Sequence, residues 1–138
     1  MKCPQCGVSL NPARYADLVF DGQVWCGRCR RQDERFLEKR SFSELEAWAQ
    51  RLCQAYGQEP VQLWRDPDYL PNPRKYYDGE TFLLAETYHN QRVIMLHPPG
   101  HQLTTLCHEL AHLITGQDHN EDWARTFAAL VAWVKARL

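Results

Sequence analysis

The chain contains no apolar run that approaches the length of a membrane-spanning helix. Its 138 residues are 44% hydrophobic, but no uninterrupted apolar stretch comes near the roughly 18 residues that indicate a transmembrane segment. The first residues, Met1-Lys2-Cys3-Pro4, also lack the apolar core of a secretion signal. Internal repeats and low-complexity tracts are missing as well. We therefore expect a soluble cytoplasmic protein that does not enter the membrane.

Histidine is missing from the first 88 residues, and all six histidines lie between His89 and His119. Two of them, His108 and His112, form an H-E-x-x-H run with Glu109 inside a segment of helical periodicity. Positions four apart lie one above the other on a helix, so both imidazoles can reach one ion while Glu109 faces the same space. The alternative is a surface helix that carries these residues by chance.

The residue types of this run suit zinc hydrolysis. Neutral imidazoles bind Zn²⁺ without cancelling its charge, and the metal lowers the pKa of a bound water to about 7. A carboxylate beside that water can take its proton, which is the role we predict for Glu109. Upstream, His97 and His101 either line the site or are polar residues at a strand end and a helix start.

A catalytic zinc needs three protein ligands and one open position, so a third ligand should follow the helix. His119 lies seven residues beyond His112, after Gly116, which is placed to end the helix in the left-handed conformation. We favour His119 as the third ligand. Glu121 and Asp122 are the rivals, although acidic residues in the first turn of a helix are also expected from the helix dipole.

The cysteines predict a second, structural zinc site. Cys3 and Cys6, like Cys26 and Cys29, have the two-residue spacing of zinc knuckles. Four thiolates close a tetrahedral site and leave no position for water. Two disulfides are the alternative, but they would require an oxidising compartment. The remaining Cys53 and Cys107 are expected to be small core residues.

The charge is distributed unevenly along the chain. Residues 1–40 contain eight Lys and Arg against five Asp and Glu, whereas residues 41–138 contain eight against twelve. The excess of basic residues in residues 1–40, which include the four zinc-knuckle cysteines, gives one hypothesis: this part of the chain binds DNA through its phosphates. Acidic residues interrupt the basic run, so a solvated charged surface is the alternative.

The periodicity predicts two domains: a zinc ribbon with a charged connector (1–40) and an α+β domain (41–138). The second should contain a helix, a three-stranded antiparallel sheet, the H-E-x-x-H helix and a C-terminal helix. Ser41 and Glu44 form a capping box at the start of the first helix. The predicted segments are a helix from 41 to 57, strands at 61–64, 81–88 and 92–97, a helix at about 101–115 and a last helix from Asn120.

The run His108-Glu109-x-x-His112-x6-His119-x3-Trp123 resembles the SprT-like and WLM-like zinc metallopeptidases. The resemblance implies a zincin-like fold for residues 41–138, three zinc-binding histidines and Glu109 as the activator of water. The chain departs from the family pattern in two respects. It has Asn120 after the third histidine, where family members often have glycine, and its ribbon precedes the protease domain, whereas theirs usually follows it. The segment Asp122-Trp123-Ala124-x-x-Phe127-Ala128-Ala129-x-Val131 of the last helix also looks like the helix that follows H-E-x-x-H in ImmA/IrrE-type peptidases, in which an acidic residue is the third ligand.

The sequence therefore predicts a monomeric zinc metallopeptidase with one catalytic and one structural Zn²⁺, acting on a protein or peptide substrate that could be associated with DNA. The alternatives are a regulatory peptidase of the ImmA/IrrE type and a zinc-stabilised binding module without activity. Residues 92–97 are either an edge strand that pairs with substrate or an ordinary sheet strand. Candidates for stabilising the oxyanion are Tyr76, Tyr77, Tyr88, Arg92 and His97.

Overall fold

The computed structural model describes residues 34–66, 84–118 and 120–138, together with Lys2, Gly7 and Ser9. The described elements are three α-helices, a three-stranded sheet and two short 3₁₀ helices, at Glu34–Phe36 and Pro98–Gly100. The chain divides into two compact units, one formed by residues 36–110 and the other by residues 1–35 and 111–138. The ribbon cysteines lie outside the described residues, so the predicted ribbon and its domain boundary remain predictions.

Helix α1, Phe42–Ala55, opens the unit of residues 36–110. The Ser41 hydroxyl accepts a hydrogen bond from the Glu44 backbone N–H at 3.2 Å, which confirms the predicted N-terminal cap. The chain turns at Gly57, where φ is +60°. One face of the helix is buried, as its 3,4 spacing predicts: Leu45, Trp48, Ala49, Leu52 and Cys53.

The sheet comprises β1 (Gln62–Arg65), β2 (Ala85–Tyr88) and β3 (Val93–Leu96) in the order β1-β3-β2. The β2–β3 pair is antiparallel, as predicted for two runs joined by a short turn. The predicted all-antiparallel sheet is wrong for β1, which pairs parallel to β3. A tight turn dictates the direction of β3 relative to β2, but residues 66–84 separate β1 from β2 and leave the direction of β1 open.

A close backbone contact positions the start of the next helix. The His97 N–H donates to Leu84 O at 3.0 Å, and Gly100 lies so close to the same carbonyl that a Cβ atom there would be 1.9 Å from the oxygen. Only glycine fits this position without a backbone shift. The Pro98–Gly100 turn therefore brings the chain back against β2 just before α2 begins.

Helix α2, Leu103–Thr115, carries the H-E-x-x-H run, and the boundary between the two units falls within it. It ends as predicted at Gly116, where φ is +65° and the N–H donates to His112 O at 2.8 Å. Cys53 on α1 and Cys107 on α2 are buried free thiols, as predicted.

Helix α3, Glu121–Lys135, follows in the other unit. Its N-cap is Asn120, whose side-chain oxygen accepts from the Trp123 N–H at 3.0 Å. Its buried face is the predicted one: Trp123, Phe127, Leu130, Val131 and Val134. None of the helices in the described ranges is long and apolar enough to cross a membrane.

Candidate metal centre

The three residues of the H-E-x-x-H run all lie on α2. His108 and His112 are separated by one helical turn and therefore share a face of the helix. Glu109 and His112 are buried, with 8% and 9% of their surface exposed, whereas His108 is slightly more accessible. Buried carboxylate and imidazole side chains such as these two usually have partners that stabilise them.

Within the unit of residues 36–110, strand β2 holds the Glu109 carboxylate. The Thr87 hydroxyl donates a short hydrogen bond to Glu109 Oε2. The other carboxylate oxygen, Oε1, lies 3.8 Å from His108 Nε2. The carboxylate therefore has one oxygen attached to the sheet and the other beside the imidazole nitrogen that would face a metal.

Within the other unit, the backbone after α2 holds the His112 ring. Its Nδ1 lies 2.8 Å from the carbonyl oxygen of Gln117. A carbonyl can only accept, so Nδ1 must carry the proton, and in the neutral ring the lone pair then belongs to Nε2. The indole of Trp123 stacks on the imidazole with centroids 5.2 Å apart. Both contacts restrict the ring to one orientation.

The remaining predicted ligands lie outside the described residues. These are His119, the preferred third ligand, and the ribbon cysteines Cys3, Cys6, Cys26 and Cys29. The side chain of the rival Glu121 is not described either, and Asp122 is exposed in the first turn of α3. Within the described residues, no group of three or more His, Cys, Asp and Glu side chains is arranged to hold a metal ion.

His97 is engaged in a different cluster, at the ends of the three strands. Its Nδ1 lies 3.1 Å from an Asp66 carboxylate oxygen, and its Nε2 lies 3.0 Å from a Glu86 carboxylate oxygen. His97 and Asp66 are both buried. Because Asp66, Glu86 and His97 belong to or adjoin three different strands, this cluster links β1, β2 and β3 at one end of the sheet.

His101, just before α2, is a buried residue and not a surface polar group. Its ring lies 6.3 Å from that of Phe42. Desolvation by burial lowers its pKa, and the nearby positive charges of Arg65 and Lys39 lower it further. The ring is therefore neutral at pH 7.

The hypothesis that residues 92–97 form an edge strand is wrong, because β3 is the central strand of the sheet. Two of the oxyanion candidates on or beside it are also engaged elsewhere. The Arg92 guanidinium donates to Glu59 O at 2.7 Å, and His97 contacts two carboxylates. Tyr88 is exposed on β2, and Tyr76 and Tyr77 lie outside the described residues.

Comparisons with protein-family profiles, with curated proteins and with solved structures found no match for this chain. The interpretation of the site therefore depends on its own residues. Sequence reasoning missed Thr87 and Asp66, which contact Glu109 and His97. A weak signal existed for Thr87: alternation along the strand Ala85-Glu86-Thr87-Tyr88 puts Thr87 on the same face as Ala85, which is buried.

Proposed function

We propose that the protein is a zinc metallopeptidase whose catalytic zinc is bound by His108 and His112 and whose general base is Glu109. The observation that carries this proposal is the hydrogen bond from His112 Nδ1 to Gln117 O. Histidines that bind metals almost always donate their other ring N–H to a carbonyl or carboxylate, which orients the ring and fixes its tautomer. The same bond leaves the lone pair of the neutral ring on Nε2, the nitrogen that would bind the metal.

The residues present fit a zinc ion. His112 has its Nε2 lone pair available for a metal, and His108 Nε2 lies 3.8 Å from Glu109 Oε1. When bound, Zn²⁺ lowers the pKa of a coordinated water to about 7 and polarises the scissile carbonyl. Nitrogen ligands from two histidines one turn apart, with a carboxylate between them that does not bind the metal, are typical of hydrolytic zinc sites.

Glu109 supplies the proton transfers. Its carboxylate accepts a proton from the attacking water and later delivers it to the amide nitrogen that leaves when the C–N bond breaks. The hydrogen bond from Thr87 fixes the orientation of the carboxylate through Oε2, and Oε1 is then available to the water. The catalytic contribution of Thr87 is therefore to position Glu109 and not to react.

The substrate-pairing strand in this proposal is β2. It lies at an edge of the sheet, is paired only with β3 among the described strands, and carries Thr87 in contact with Glu109. An extended substrate that adds to this edge would pass the carboxylate. Strand β3 cannot serve, because both of its sides are already paired.

The third ligand that we propose is His119, as the SprT-like and WLM-like resemblance implies, within a zincin-like domain. Glu121 and Asp122 are the rivals in the ImmA/IrrE-type interpretation. The zinc content of His119→Ala, Glu121→Ala and Asp122→Ala variants separates the two interpretations. We expect His119→Ala to weaken the binding of one zinc and the two acidic variants to leave it unchanged; the reverse result would favour the regulatory peptidase.

The second zinc in this proposal is structural, and Cys3, Cys6, Cys26 and Cys29 bind it in an N-terminal ribbon.

We further propose that the basic front of the chain directs the enzyme to DNA. Four thiolates and one Zn²⁺ add about two negative charges, so DNA binding should be weak and strongly reduced by salt. Replacing Arg30, Arg31 and Arg35 with Ala should lower it. Unchanged affinity in that variant would assign the ribbon another role.

The experiment that tests the function combines metal analysis with a peptidase assay on protein purified without a histidine tag. We expect about two zinc equivalents in the wild type, one in His108→Ala, and one in Cys29→Ser. Hydrolysis should be lost in His108→Ala. Full activity in His108→Ala would remove the basis of the proposal, and a non-catalytic binding module would then be the better interpretation.

A further inference from the structure

A cleft of about 390 Å³ lies between α1 and strand β1, within the unit of residues 36–110. One wall is a stripe of exposed α1 residues spaced four apart, Glu46, Gln50 and Gln54. The other wall is the edge of β1, including Leu63 and Trp64. None of these residues belongs to the proposed zinc site.

Strand β1 carries main-chain hydrogen-bonding groups on its outer edge, the side away from β3. The N–H of Gln62 donates to Arg92 O, just before β3, at 3.0 Å, and that of Asp66 donates to Leu96 O, on β3, at 3.1 Å. Because successive residues of a strand direct their N–H and C=O groups to opposite sides, those of Leu63 and Arg65 are directed away from β3. Among the described strands, β1 has no partner on that side. Such a row of donors and acceptors is matched by an extended peptide backbone.

The side chains of the cleft favour a basic peptide. Glu46 is the one charged residue among the described residues that line it. Cys53, which also lines the cleft, adds no charge: burial raises the pKa of its thiol, although a hydrogen bond with the Val61 backbone and the positive charge of Arg92 oppose this shift. Trp64 is 48% exposed, and its indole N–H donates to Gln62 Oε1 at 3.4 Å. An exposed indole held in this way can contact the stem or the charged head of a lysine or arginine.

We infer that this cleft is a docking site for an extended, lysine- or arginine-containing segment of a partner protein, which adds to β1 as a fourth strand. The docked segment would cover the exposed Trp64 ring and satisfy the outward main-chain groups of Leu63. Its cationic side chains would face Glu46, while the glutamines of α1 would bond to polar side chains. The inference does not depend on the zinc site.

The test measures binding of a fluorescent peptide, acetyl-(Val-Lys)₄-Val-amide, to the full chain carrying Glu109→Gln, so that the probe is not cut. We expect saturable binding. A peptide of the same sequence with N-methyl groups on its five central amides should bind at least about tenfold more weakly, because N-methylation removes the donors that pair with a strand. Equal affinity of the two peptides would overturn strand addition.

Two variants locate the binding. Gln50→Trp should fill the cleft at an exposed helix position and abolish binding. Glu46→Lys should weaken it by roughly fivefold, the scale of an exposed charge pair replaced by a repulsive one. Glu34→Lys makes the same charge change outside the cleft and should have no effect. Unchanged affinity in Gln50→Trp would place the peptide elsewhere and contradict the proposal.

Light scattering on the unliganded chain tests the competing occupant, a second copy of the protein. We expect a monomer. A dimer that Gln50→Trp converts to monomer would show that β1 pairs with itself, and the proposal of a partner peptide would then be wrong. Far-UV circular dichroism of each variant should match that of the wild type, so that loss of binding reports on the cleft and not on unfolding.

Discussion

Thr87 is the residue that ties the sheet to the proposed general base. It donates to Glu109 Oε2 from strand β2; Thr87 is half-buried and Glu109 is buried. A hydrogen bond to a charged group is worth about 1.5–3 kcal/mol. If the bond orients Glu109 during proton transfer, its loss should affect the rate of hydrolysis and not the binding of zinc.

We therefore expect Thr87→Val, which keeps the side-chain shape and removes the hydroxyl, to lower the rate of peptide hydrolysis by about tenfold. Zinc content should stay at the wild-type level. Thr126→Val on α3 is the matched control and should leave the rate unchanged. A Thr87→Val enzyme of full activity would mean that Glu109 does not need the sheet for its position.

His101 makes the stability of the fold depend on pH. Its pKa is lower in the folded protein than the ordinary 6.5, chiefly through burial and then through Arg65 and Lys39. The unfolded chain therefore takes up more protons than the folded one as the pH falls. The free energy of unfolding should be intact above pH 6.5 and should decrease below it.

The variant His101→Phe keeps an aromatic ring against Phe42 and removes the titration. We expect its urea-unfolding midpoint to fall less between pH 7 and pH 5 than that of the wild type. Equal slopes for the two proteins over this range would show that His101 does not contribute to the pH dependence.

At the scale of elements, the contact between the turn before α2 and the start of β2 sets where the H-E-x-x-H helix begins. A methyl group at position 100 would meet Leu84 O at 1.9 Å. We expect Gly100→Ala to destabilise the protein by roughly 1–3 kcal/mol, the usual cost of overpacking, as measured by chemical denaturation.

The control is Gly57→Ala, where a Cβ meets no atom within 4 Å and only the positive φ is unfavourable. We expect it to cost about 1 kcal/mol or less. If Gly100→Ala is no more destabilising than Gly57→Ala, the close approach to Leu84 does not constrain the start of α2.

The elements were predictable where the signal is local. The Ser41 cap, the glycine ends of α1 and α2, and the buried face of α3 follow from residues a few positions apart. The direction of β1 and the central position of β3 could not be predicted. Both depend on the pairing of β1 with β3, and no short turn connects these two strands. The same reason explains why Asp66 was not seen as a partner of His97.

The candidate site, too, was predictable only where the signal is local. The placement of His108, Glu109 and His112 on one helix follows from the spacing alone. The contacts that orient them were not predicted: Thr87 contacts Glu109 from strand β2, where the alternation gave only a weak signal, and Gln117 contacts His112 from five residues further along the chain. Gln117 acts through its backbone carbonyl, so its side chain could not have revealed it.

Over the whole molecule, the charge is divided: the first 40 residues have an excess of basic residues, and the remainder an excess of acidic ones. We therefore propose separate roles, with hydrolysis on the H-E-x-x-H helix and nucleic-acid binding at the front of the chain.

The most direct test of the central claim is the rate of peptide hydrolysis by Glu109→Gln measured together with its zinc content. Glutamine keeps the size of the side chain and can accept from Thr87, but it cannot take a proton from water. We expect two zinc equivalents and hydrolysis reduced at least about a thousandfold. Hydrolysis at the wild-type rate with zinc retained would contradict it, because the proton would then have another acceptor.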